Sequence, residues 1–344
     1  MAFISPRSTA GPTRTSTTDN RATTTSTDTD AILVVGGTGF IGSAVLKELA
    51  REHPAHGPRP LRVLSRRPPQ AAEATGVRHV AGDLADPLTL RDVCSGVATV
   101  IHAASYVGRD RHKCHDINHL GTQALLAEAR RHGVRHFIYV STASIYGMGP
   151  HRGPHEGQLE PSPVSPASTT RLRAEEAVRA AGGTVLRPHL IYGAGDRWFV
   201  PTVARVLRQV PSWPDGTPPR SSVIAVEDLA RVIAALSRQP RPHGNDGTYH
   251  VADPRLLPMD SLLARLRTLL RLPEIQRVPI SEHRGLVRQR IPELSAHQYA
   301  LLTEDHWFDT SHIWHHTELD PGPGFDERFA ACSAWYAQHL NHEA

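Results

Sequence analysis

From residue 31 onward the chain alternates short apolar runs with longer amphipathic stretches. Runs such as Ala31–Val35 have the length and β-branched content of buried strands, whereas Phe40–Arg51 repeats its apolar residues at helical spacing. This alternation predicts βαβ units around a parallel sheet. The expected strands are Ala31–Val35, Leu61–Ser65, Val77–Ala81, Thr99–His102, His136–Val140, Thr184–Arg187 and Ser222–Val226, and the expected helices are Phe40–Arg51, Leu88–Cys94, Asp116–His132, Leu172–Ala181 and Glu227–Leu236.

The two ends of the chain depart from this pattern. Residues 1–30 are rich in Ser and Thr and poor in apolar residues, so burial cannot offset the entropy of ordering them, and we predict a disordered tail. The tail has no apolar segment of a secretory signal, and its three aspartates argue against an organellar transit peptide. Residues 240–344 mix helices and loops without a further clean βαβ repeat.

Three glycines follow the first expected strand at a fixed spacing. Gly36, Gly39 and Gly42 form a GxxGxxG motif, in which Phe40 and Ile41 open the next helix. The first glycine permits a tight turn, the second lets a pyrophosphate approach the backbone, and the third lets the helix pack closely on the strand. The helix N-terminus adds N–H donors and a positive dipole end. In this context the motif predicts a dinucleotide site rather than a turn without a ligand.

Further motifs, in order, make the chain similar to the extended short-chain dehydrogenases/reductases, also called the NAD-dependent epimerase/dehydratase family. They lie between Ile32 and about Leu236, which is most of the region with alternating strands and helices. Besides the glycine motif they are Gly82-Asp83-Leu84, Ile101-His102-Ala103-Ala104, Asn118-x-x-Gly121-Thr122, the run from Val140 to Gly147, Leu186-Arg187-Pro188 with Tyr192-Gly193, and Val226-Glu227-Asp228-Leu229-Ala230.

The resemblance implies an α/β fold with a Rossmann-type doubly wound parallel sheet and a smaller C-terminal substrate-binding lobe. Residues 31–239 would form the cofactor-binding domain, with some segments of the substrate pocket, and residues 240–344 would form most of the lobe. By the same resemblance, Asp83 and Leu84 border the adenine, and Ala103 and Ala104 line the cofactor near the fourth strand.

The end of the second strand bears on which nicotinamide cofactor binds. An NAD site usually has an acidic side chain there to accept from the ribose 2′-hydroxyl. This chain has Arg66 and Arg67 instead, and guanidinium groups suit a 2′-phosphate. We therefore expect NADP, with NAD as the alternative. A solvated basic turn without a role is the other interpretation of the two arginines.

The resemblance also implies a catalytic set that this chain carries only in part. Relatives use a Ser or Thr after strand five and a Tyr-xxx-Lys on the next helix, where the Tyr transfers the substrate proton and the Lys holds the ribose. Thr142 matches the hydroxyl position, but Ala167 stands at the Tyr position and Arg171 at the Lys position. No tyrosine lies between Tyr146 and Tyr192, so a shift in register does not restore the motif. Arg171 keeps a cation for the ribose but does not exchange protons.

Several residues are candidates for the missing proton donor. Tyr146 and Tyr106 follow strand ends on the side where open α/β sheets bind ligands, although both are also consistent with packing aromatics. His151 and His155 lie in the loop before the catalytic helix, and Ser168 follows the position of the absent tyrosine but is a weak acid. We place Tyr146 in the candidate catalytic set, with the Thr and the Arg named above.

A metal site was considered at His112, His115 and His119, which share roughly one helical face near Cys114. No carboxylate or paired cysteine stands at ligand spacing, and two of these histidines precede the clear helical pattern, so we expect no metal. The three cysteines of the chain also have neither disulfide nor metal spacing.

Composition limits the partners. The net charge is +4, and the arginines are scattered among acidic residues, which argues against nucleic acid. The sequence contains no run of 18 apolar residues, so no membrane span is predicted. A cytoplasmic protein with a small-molecule substrate is expected, and because members of the family often dimerise, a homodimer is an expectation by analogy.

The resemblance bears less strongly on the substrate. Nucleotide-sugar relatives often hold the diphosphate with an arginine before the Val-x-Asp-Leu-Ala run, and Arg220 stands one residue out of register. Trp307-Phe308-Asp309 is similar to a segment of relatives that act on hydrophobic substrates. We expect an NADP-dependent oxidoreductase or epimerase/dehydratase-type enzyme acting on a small carbonyl or hydroxyl compound, in secondary metabolism for example. The alternatives are a non-redox isomerase, cyclase or dehydratase on the same fold and a non-catalytic NADP-binding protein.

Overall fold

The computed structural model describes residues 30–51, 59–66, 76–239 and 247–342. The expected disordered tail lies outside these ranges except for Asp30, and so does Arg67. The strands are β1 (Ala31–Val35), β2 (Leu61–Ser65), β3 (Val77–Ala81), β4 (Val97–His102), β5 (His136–Val140), β6 (His151–Arg152), β7 (Thr184–Pro188), β8 (Leu190–Tyr192), β9 (Ser212–Pro214), β10 (Arg220–Ser221), β11 (Val223–Ala225), β12 (Thr248–Val251), β13 (Leu257–Pro258), β14 (Gln276–Val278) and β15 (His306–Trp307).

Helices connect the strands. They are α1 (Phe40–Arg51), α2 (Arg111–Lys113), α3 (Gly121–Arg131), α4 (Pro166–Ala180), α5 (Phe199–Gln209), α6 (Val226–Arg238), α7 (Met259–Leu270), α8 (Ile280–Arg290), α9 (Ala296–Thr303), α10 (Ser311–Thr317) and α11 (Phe325–His342), with 3₁₀ turns at Pro87–Leu90 and Ala143–Tyr146 and a π-helical segment at Cys114–Leu120. Within the described ranges no helix has both the length and the apolar character that a membrane crossing requires.

Seven parallel strands form the central sheet in the order β12-β7-β5-β4-β1-β2-β3. All five residues of β1 are buried, because both faces of the sheet are covered by helices. Ile32 and Val34 face a core shared with α1, α6 and α10, whereas Leu33 and Val35 face a core shared with α3 and α4. The strand order reverses between β1 and β4, and open α/β sheets bind ligands at the carboxyl ends of the strands at such a point. The expected doubly wound sheet is confirmed.

A second core lies beside the carboxyl ends of the strands and belongs to the C-terminal lobe. It gathers large buried side chains from α5, β9, α7 and α11, among them Phe199, Trp213 and Tyr336. A four-stranded sheet in the order β13-β10-β15-β6 extends this region. Strand β6 comes from the loop between β5 and α4, so its pairing in this sheet attaches that loop to the lobe.

Some expected elements differ from those observed. The edge strand β12 was not expected, because residues 240–344 showed no clear βαβ repeat, yet it pairs with β7 in the central sheet. The helix expected at Leu172–Ala181 begins at Pro166, where Ser165 and Ser168 form a capping box. The helix expected at Leu88–Cys94 is a single 3₁₀ turn at Pro87–Leu90, and the strand expected at Ser222–Val226 pairs with β8 instead of joining the central sheet.

A buried ion pair joins the central sheet to α4. Arg187 on β7 donates two hydrogen bonds to Oε2 of Glu175, one from Nε at 3.0 Å and one from Nη2 at 2.6 Å. Both side chains are almost wholly buried. Burial opposes the charge on Arg187, but Glu175 holds the pKa of the guanidinium above its usual range. The pair fixes where α4 sits over the sheet.

We predict that Glu175→Gln lowers the free energy of unfolding by about 3–5 kcal/mol, because it leaves the Arg187 charge buried without a counter-ion. Urea unfolding followed by circular dichroism measures this change. The control is Asp326→Asn, which breaks the exposed Arg265–Asp326 pair and should cost less than about 1 kcal/mol. Similar losses in both variants would contradict a special role for the buried pair.

Candidate functional site

The glycine motif forms a tight turn against the loop that follows β4. Gly36 has a φ of +88°, and a Cβ there would lie 2.7 Å from the amide nitrogen of Ala104. A Cβ on Gly42 would lie 2.1 Å from the carbonyl oxygen of Gly36, so the third glycine lets α1 pack on the turn. Gly39 is exposed, and a Cβ on it would approach only the Gly36 oxygen, at 3.2 Å. Its outer side is therefore open to a pyrophosphate.

The other expected cofactor residues lie around this turn. Phe40 and Ile41 are partly exposed at the start of α1, where the first N–H groups have no partners within the helix. Ala103 donates its N–H to Val35 at 2.9 Å, and both Ala103 and Ala104 are partly exposed. The structure thus brings the glycine turn and the loop after β4 together as two walls of one crevice, a shape that suits a dinucleotide.

The turn after β3 packs on the opposite side of this crevice wall. The Asp83 carboxylate accepts from the N–H of Ala85 at 3.0 Å, and the Asp83 N–H donates to Thr89 Oγ1 at 2.8 Å. Leu84 is buried, and its carbonyl oxygen would lie 2.4 Å from a Cβ on Gly121, the first residue of α3. These contacts explain the glycine in the Asn118-x-x-Gly121-Thr122 motif as a packing requirement.

Arg66 stands directly after β2 and is exposed. The preceding residue, Ser65, accepts from the N–H of Gly82 at 3.2 Å, which fixes the end of β2 beside the turn after β3. Arg66 therefore lies at the edge of the sheet near Asp83, while Arg67 falls outside the described residues.

Thr142 lies at the carboxyl end of β5 and is partly exposed. Its Oγ1 accepts from the N–H of Ser144 at 3.1 Å and caps the 3₁₀ turn that follows. Among the described residues the Thr142 hydroxyl donates to no acceptor, so its proton is left for a ligand. Thr142 can therefore present an O–H donor to a substrate oxygen.

The first turn of α4 carries no phenol. Ala167 is partly exposed at its N-terminal end. The buried hydroxyl of Ser168 is held by Ser165, with 2.8 Å between the two side-chain oxygens and 3.1 Å to the Ser165 carbonyl. Ser168 is therefore engaged in capping the helix and is not available as a proton donor.

Arg171 reaches the end of strand β5. Its Nη2 donates to the carbonyl oxygen of Val140 at 3.0 Å, and its side chain is partly exposed. The guanidinium also lies near two buried groups, His102 and Tyr139. Burial and then the charge of Arg171 lower the pKa of His102 to about 3, and burial raises the pKa of Tyr139 to about 12. Arg171 thus places a cation beneath Thr142.

Tyr146, the third member of our candidate catalytic set, points into the interior. Its hydroxyl accepts from Arg187 Nη1 at 2.7 Å and lies 2.7 Å from Nε2 of His250, and its ring stacks on Phe308. Burial raises the pKa of its phenol. The network of Glu175, Arg187, Tyr146 and His250 ties α4, β7, the 3₁₀ turn after β5 and β12 together. We therefore do not retain Tyr146 as the proton donor.

The candidate histidines have a ring nitrogen that is hydrogen-bonded to the backbone or buried. His155 is exposed, and its Nδ1 lies 3.0 Å from the carbonyl oxygen of Glu156. His151 lies among His189, His306 and Phe308. Nε2 of His151, both ring nitrogens of His189 and Nε2 of His306 are buried and have no hydrogen-bond partner among the described residues. Burial lowers the pKa of all three imidazoles, that of His306 to about 4.

The histidines considered for a metal, His112, His115 and His119, do not converge on one point with a fourth group. In the described part of the chain, three potential ligand groups lie within 4.8 Å of one another only at Asp92, Glu128 and His132. Both carboxylates there already bind Arg131, each at 2.7 Å, which uses them for a surface ion-pair network.

Asn118 is a site residue whose hydrogen bonds were not predicted from the sequence. Its buried amide accepts from the Tyr106 N–H at 2.7 Å and from the Ser105 hydroxyl at 3.3 Å. It also donates to the Tyr106 carbonyl at 2.9 Å and to Thr170 Oγ1 at 3.1 Å. Asn118 lies in the π-helical segment, which turns its side chain between the loop after β4 and α4. The motif signalled the residue, but not these partners.

Known proteins share both the sequence pattern and the fold. The model of the NAD dependent epimerase/dehydratase family matches residues 32–252. A 2-alkyl-3-oxoalkanoate reductase from Stenotrophomonas maltophilia is 28% identical over 265 residues, which is 72% of this chain and 77% of that protein. Sterol demethylase protein B from Methylococcus capsulatus is 33% identical over 221 residues, 58% of this chain and 65% of that protein.

A solved structure has the same fold at low identity. It is a short-chain dehydrogenase/reductase superfamily protein from Agrobacterium tumefaciens with bound NAD. The TM-score is 0.70 at 22% identity, and the match covers 91% of this chain and 99% of that one.

The buried histidines predict an acid-sensitive fold. Burial lowers the pKa of His250 and of His306 to about 4, below the 6.5 of a free imidazole. The unfolded chain therefore binds more protons between pH 6.5 and 4, and stability present above pH 6.5 is lost as the pH falls through this window. Each such histidine contributes up to about 1.4 kcal/mol per pH unit.

Urea unfolding at a series of pH values checks this. His306→Phe should flatten the dependence by close to one proton, whereas His315→Gln, at an exposed position, should leave it unchanged. An unchanged slope in His306→Phe would show that His306 does not resist protonation in the folded state.

Proposed function

This chain belongs to the NAD dependent epimerase/dehydratase family, and from that premise we propose that it is an NADP-dependent oxidoreductase acting on a carbonyl or hydroxyl group of an apolar small molecule. The observation that carries the proposal is the free O–H of Thr142 at the same sheet edge as the open glycine turn. A bound nicotinamide would supply or accept the hydride.

The chain's own residues would hold and orient the reactants. Gly36, Gly39 and Gly42, with the start of α1, would cradle the pyrophosphate. Thr142 would donate to the substrate oxygen and orient it. Arg171, which already bonds the Val140 carbonyl, would bond a ribose hydroxyl with another of its N–H groups.

The rim of the crevice supports an apolar substrate. Val107 follows β4 and is 75% exposed, and Met148 and Val164, at the two ends of the loop between β5 and α4, are 48% and 51% exposed. The ends of that loop are joined by the Ser162 N–H, which donates to Ile145 at 2.8 Å. Exposed apolar side chains around a concave site commonly mark the contact with an apolar ligand. The names of the two relatives, an oxoalkanoate reductase and a sterol demethylase protein, fit this class.

The position of Arg220 argues against a nucleotide-sugar substrate. Arg220 is exposed on β10, whereas the next residue, Ser221, is fully buried on the inward face of the strand. The backbone N–H of Arg220 donates to the Asp305 carboxylate at 2.9 Å, which fixes this register. No arginine of β10 is thus directed inward, as a diphosphate would require.

A coupled assay tests the proposal as a whole. Purified protein with NADPH is offered two panels, apolar ketones (long-chain 3-oxo acids and 3-oxosteroids) and UDP- or dTDP-linked sugars, and absorbance at 340 nm is followed. Turnover with the apolar panel alone is expected. Turnover of the sugar nucleotides alone would overturn the substrate class, and tight NADPH binding without any turnover would favour the non-redox or non-catalytic alternatives.

The basic end of β2 predicts the choice of cofactor. The double variant Arg66→Ala, Arg67→Ala should weaken NADPH binding about 10- to 100-fold, because charge-assisted hydrogen bonds to a phosphate are worth about 1.5–3 kcal/mol. NADH binding should change little, since it has no 2′-phosphate. Fluorescence titration measures both affinities, and Arg78→Ala on neighbouring β3 is the control for lost surface charge. Equal weakening of NADPH and NADH would contradict recognition of the 2′-phosphate.

The hydroxyl of Thr142 is predicted to act on kcat. Thr142→Val should lower kcat by about 10- to 1,000-fold with the NADPH Kd unchanged, because the lost donor serves the substrate. Thr142→Ser keeps both the cap to Ser144 and the donor, so it should retain most of the rate. If Thr142→Ser were as slow as Thr142→Val, packing of the methyl group rather than the hydroxyl would explain the loss.

A further inference from the structure

We propose that Tyr106 is the catalytic proton donor that takes the place of the phenol missing at Ala167. The inference rests on the proposed function, since it assigns the proton step of the same reaction. Three features of Tyr106 support it: its accessibility among the tyrosines, the hydrogen bonds that hold its backbone, and the position of its hydroxyl beside Gly108.

Tyr106 is the accessible tyrosine of the chain. All seven tyrosines lie in the described ranges, and six of them are 5% exposed or less. Tyr106 is partly exposed on the loop after β4, at the same sheet edge as the glycine turn and Thr142. Among the described residues its hydroxyl has no hydrogen-bond partner, so the phenol is free to bond a substrate oxygen.

The backbone of Tyr106 is held against the helix turn that lacks the phenol. One nitrogen, Nδ2 of Asn118, donates both to the Tyr106 carbonyl at 2.9 Å and to Thr170 Oγ1 at 3.1 Å. The Thr170 hydroxyl in turn lies 3.1 Å from the carbonyl oxygen of Ala167. The Asn118 amide and the Thr170 hydroxyl therefore link the backbone of Tyr106 to the first turn of α4, and the bond from the Tyr106 N–H to Asn118 holds that backbone a second time.

Gly108 leaves room for the phenol. A Cβ on Gly108 would lie 2.3 Å from the Tyr106 hydroxyl oxygen and 2.4 Å from the ring carbon that bears it. The phenol ring of Tyr106 therefore packs against Gly108, and a side chain at position 108 would displace it. Of the competing donors, Tyr146 and Ser168 are engaged in internal hydrogen bonds, and Nε2 of His151 is buried.

The proton balance of the step is simple. In the reducing direction the substrate carbonyl carbon gains a hydride from the reduced nicotinamide, and its oxygen gains the proton of the Tyr106 hydroxyl. The O–H bond of the tyrosine breaks as that of the product alcohol forms, and the phenolate regains a proton from solvent. Thr142 donates a second hydrogen bond to the same oxygen and is not consumed.

Kinetics on a substrate identified in the apolar panel tests the proposal. Tyr106→Phe should lower kcat by about 10²–10⁴-fold while the NADPH Kd stays unchanged. Tyr249→Phe, which removes a buried phenol oxygen from β12, should leave kcat unchanged. Adding Ala167→Tyr to Tyr106→Phe should restore part of the rate by returning a phenol to α4, which a purely structural role for Tyr106 would not allow. An unchanged kcat in Tyr106→Phe would overturn the proposal.

A second measurement does not depend on turnover. Tetranitromethane nitrates accessible tyrosines, and peptide mapping locates the product. Tyr106 should be nitrated first, and saturating NADP should slow its nitration at least several-fold, whereas the small amount at other tyrosines should not respond. If NADP binds but leaves nitration of Tyr106 unchanged, Tyr106 does not lie beside the cofactor and the proposal is wrong. If NADP does not bind, the proposed function fails instead.

Discussion

A charge buried without water must find its counter-charge and its hydrogen bonds inside the protein, and in this chain that constraint falls on Arg187. Its guanidinium bonds Glu175 of α4 and the hydroxyl of Tyr146, and Tyr146 continues to His250 of β12. Four elements are thereby held in one arrangement. Because removing one partner leaves the others buried and unpaired, the network tolerates little displacement of α4 relative to the sheet.

The fixed position of α4 determines what the crevice contains. With Glu175 held under the sheet, Arg171 lies one turn earlier and reaches the end of β5, and Ala167 lies one further turn earlier at the crevice. The same network uses the hydroxyl of Tyr146, which removes the phenol closest in sequence from the chemistry. The glycine turn and Thr142 thus stay at the crevice, while a proton donor for the reaction that we propose would have to lie on another element.

The two parts of the molecule divide the work according to their packing. Both faces of the parallel sheet pack mainly apolar side chains against helices, and the glycine turn and the loop after β4 meet at the strand ends. The lobe carries its own core of aromatic and aliphatic side chains and is joined to the sheet by the loop between β5 and α4 through β6. That loop also carries Met148 and Val164, so the segment that connects the two parts forms part of the rim of the crevice.

The sequence alone was sufficient for the elements with strong local signals. β1, β2, β3 and β5, together with α1, were predicted with the observed bounds, because short runs rich in β-branched and other apolar residues and an apolar repeat at helical spacing are strong local signals. The tight turn at Gly36 and the close packing at Gly42 were also predicted, since each glycine answers a local steric need. The absence of a phenol at Ala167 is a fact of sequence once the family register is known.

Only the tertiary structure decided which polar groups are engaged and which are free. Tyr146 and Tyr106 both follow strand ends, and nothing in their neighbours separates them. Arg187, Glu175 and His250, which bury the first, lie up to 104 residues away. Asn118 ties the second to α4, and β12 joins the sheet from a stretch with no local signal. Accessibility and hydrogen-bond partners depend on contacts between residues distant in sequence, whereas periodicity records only the near ones.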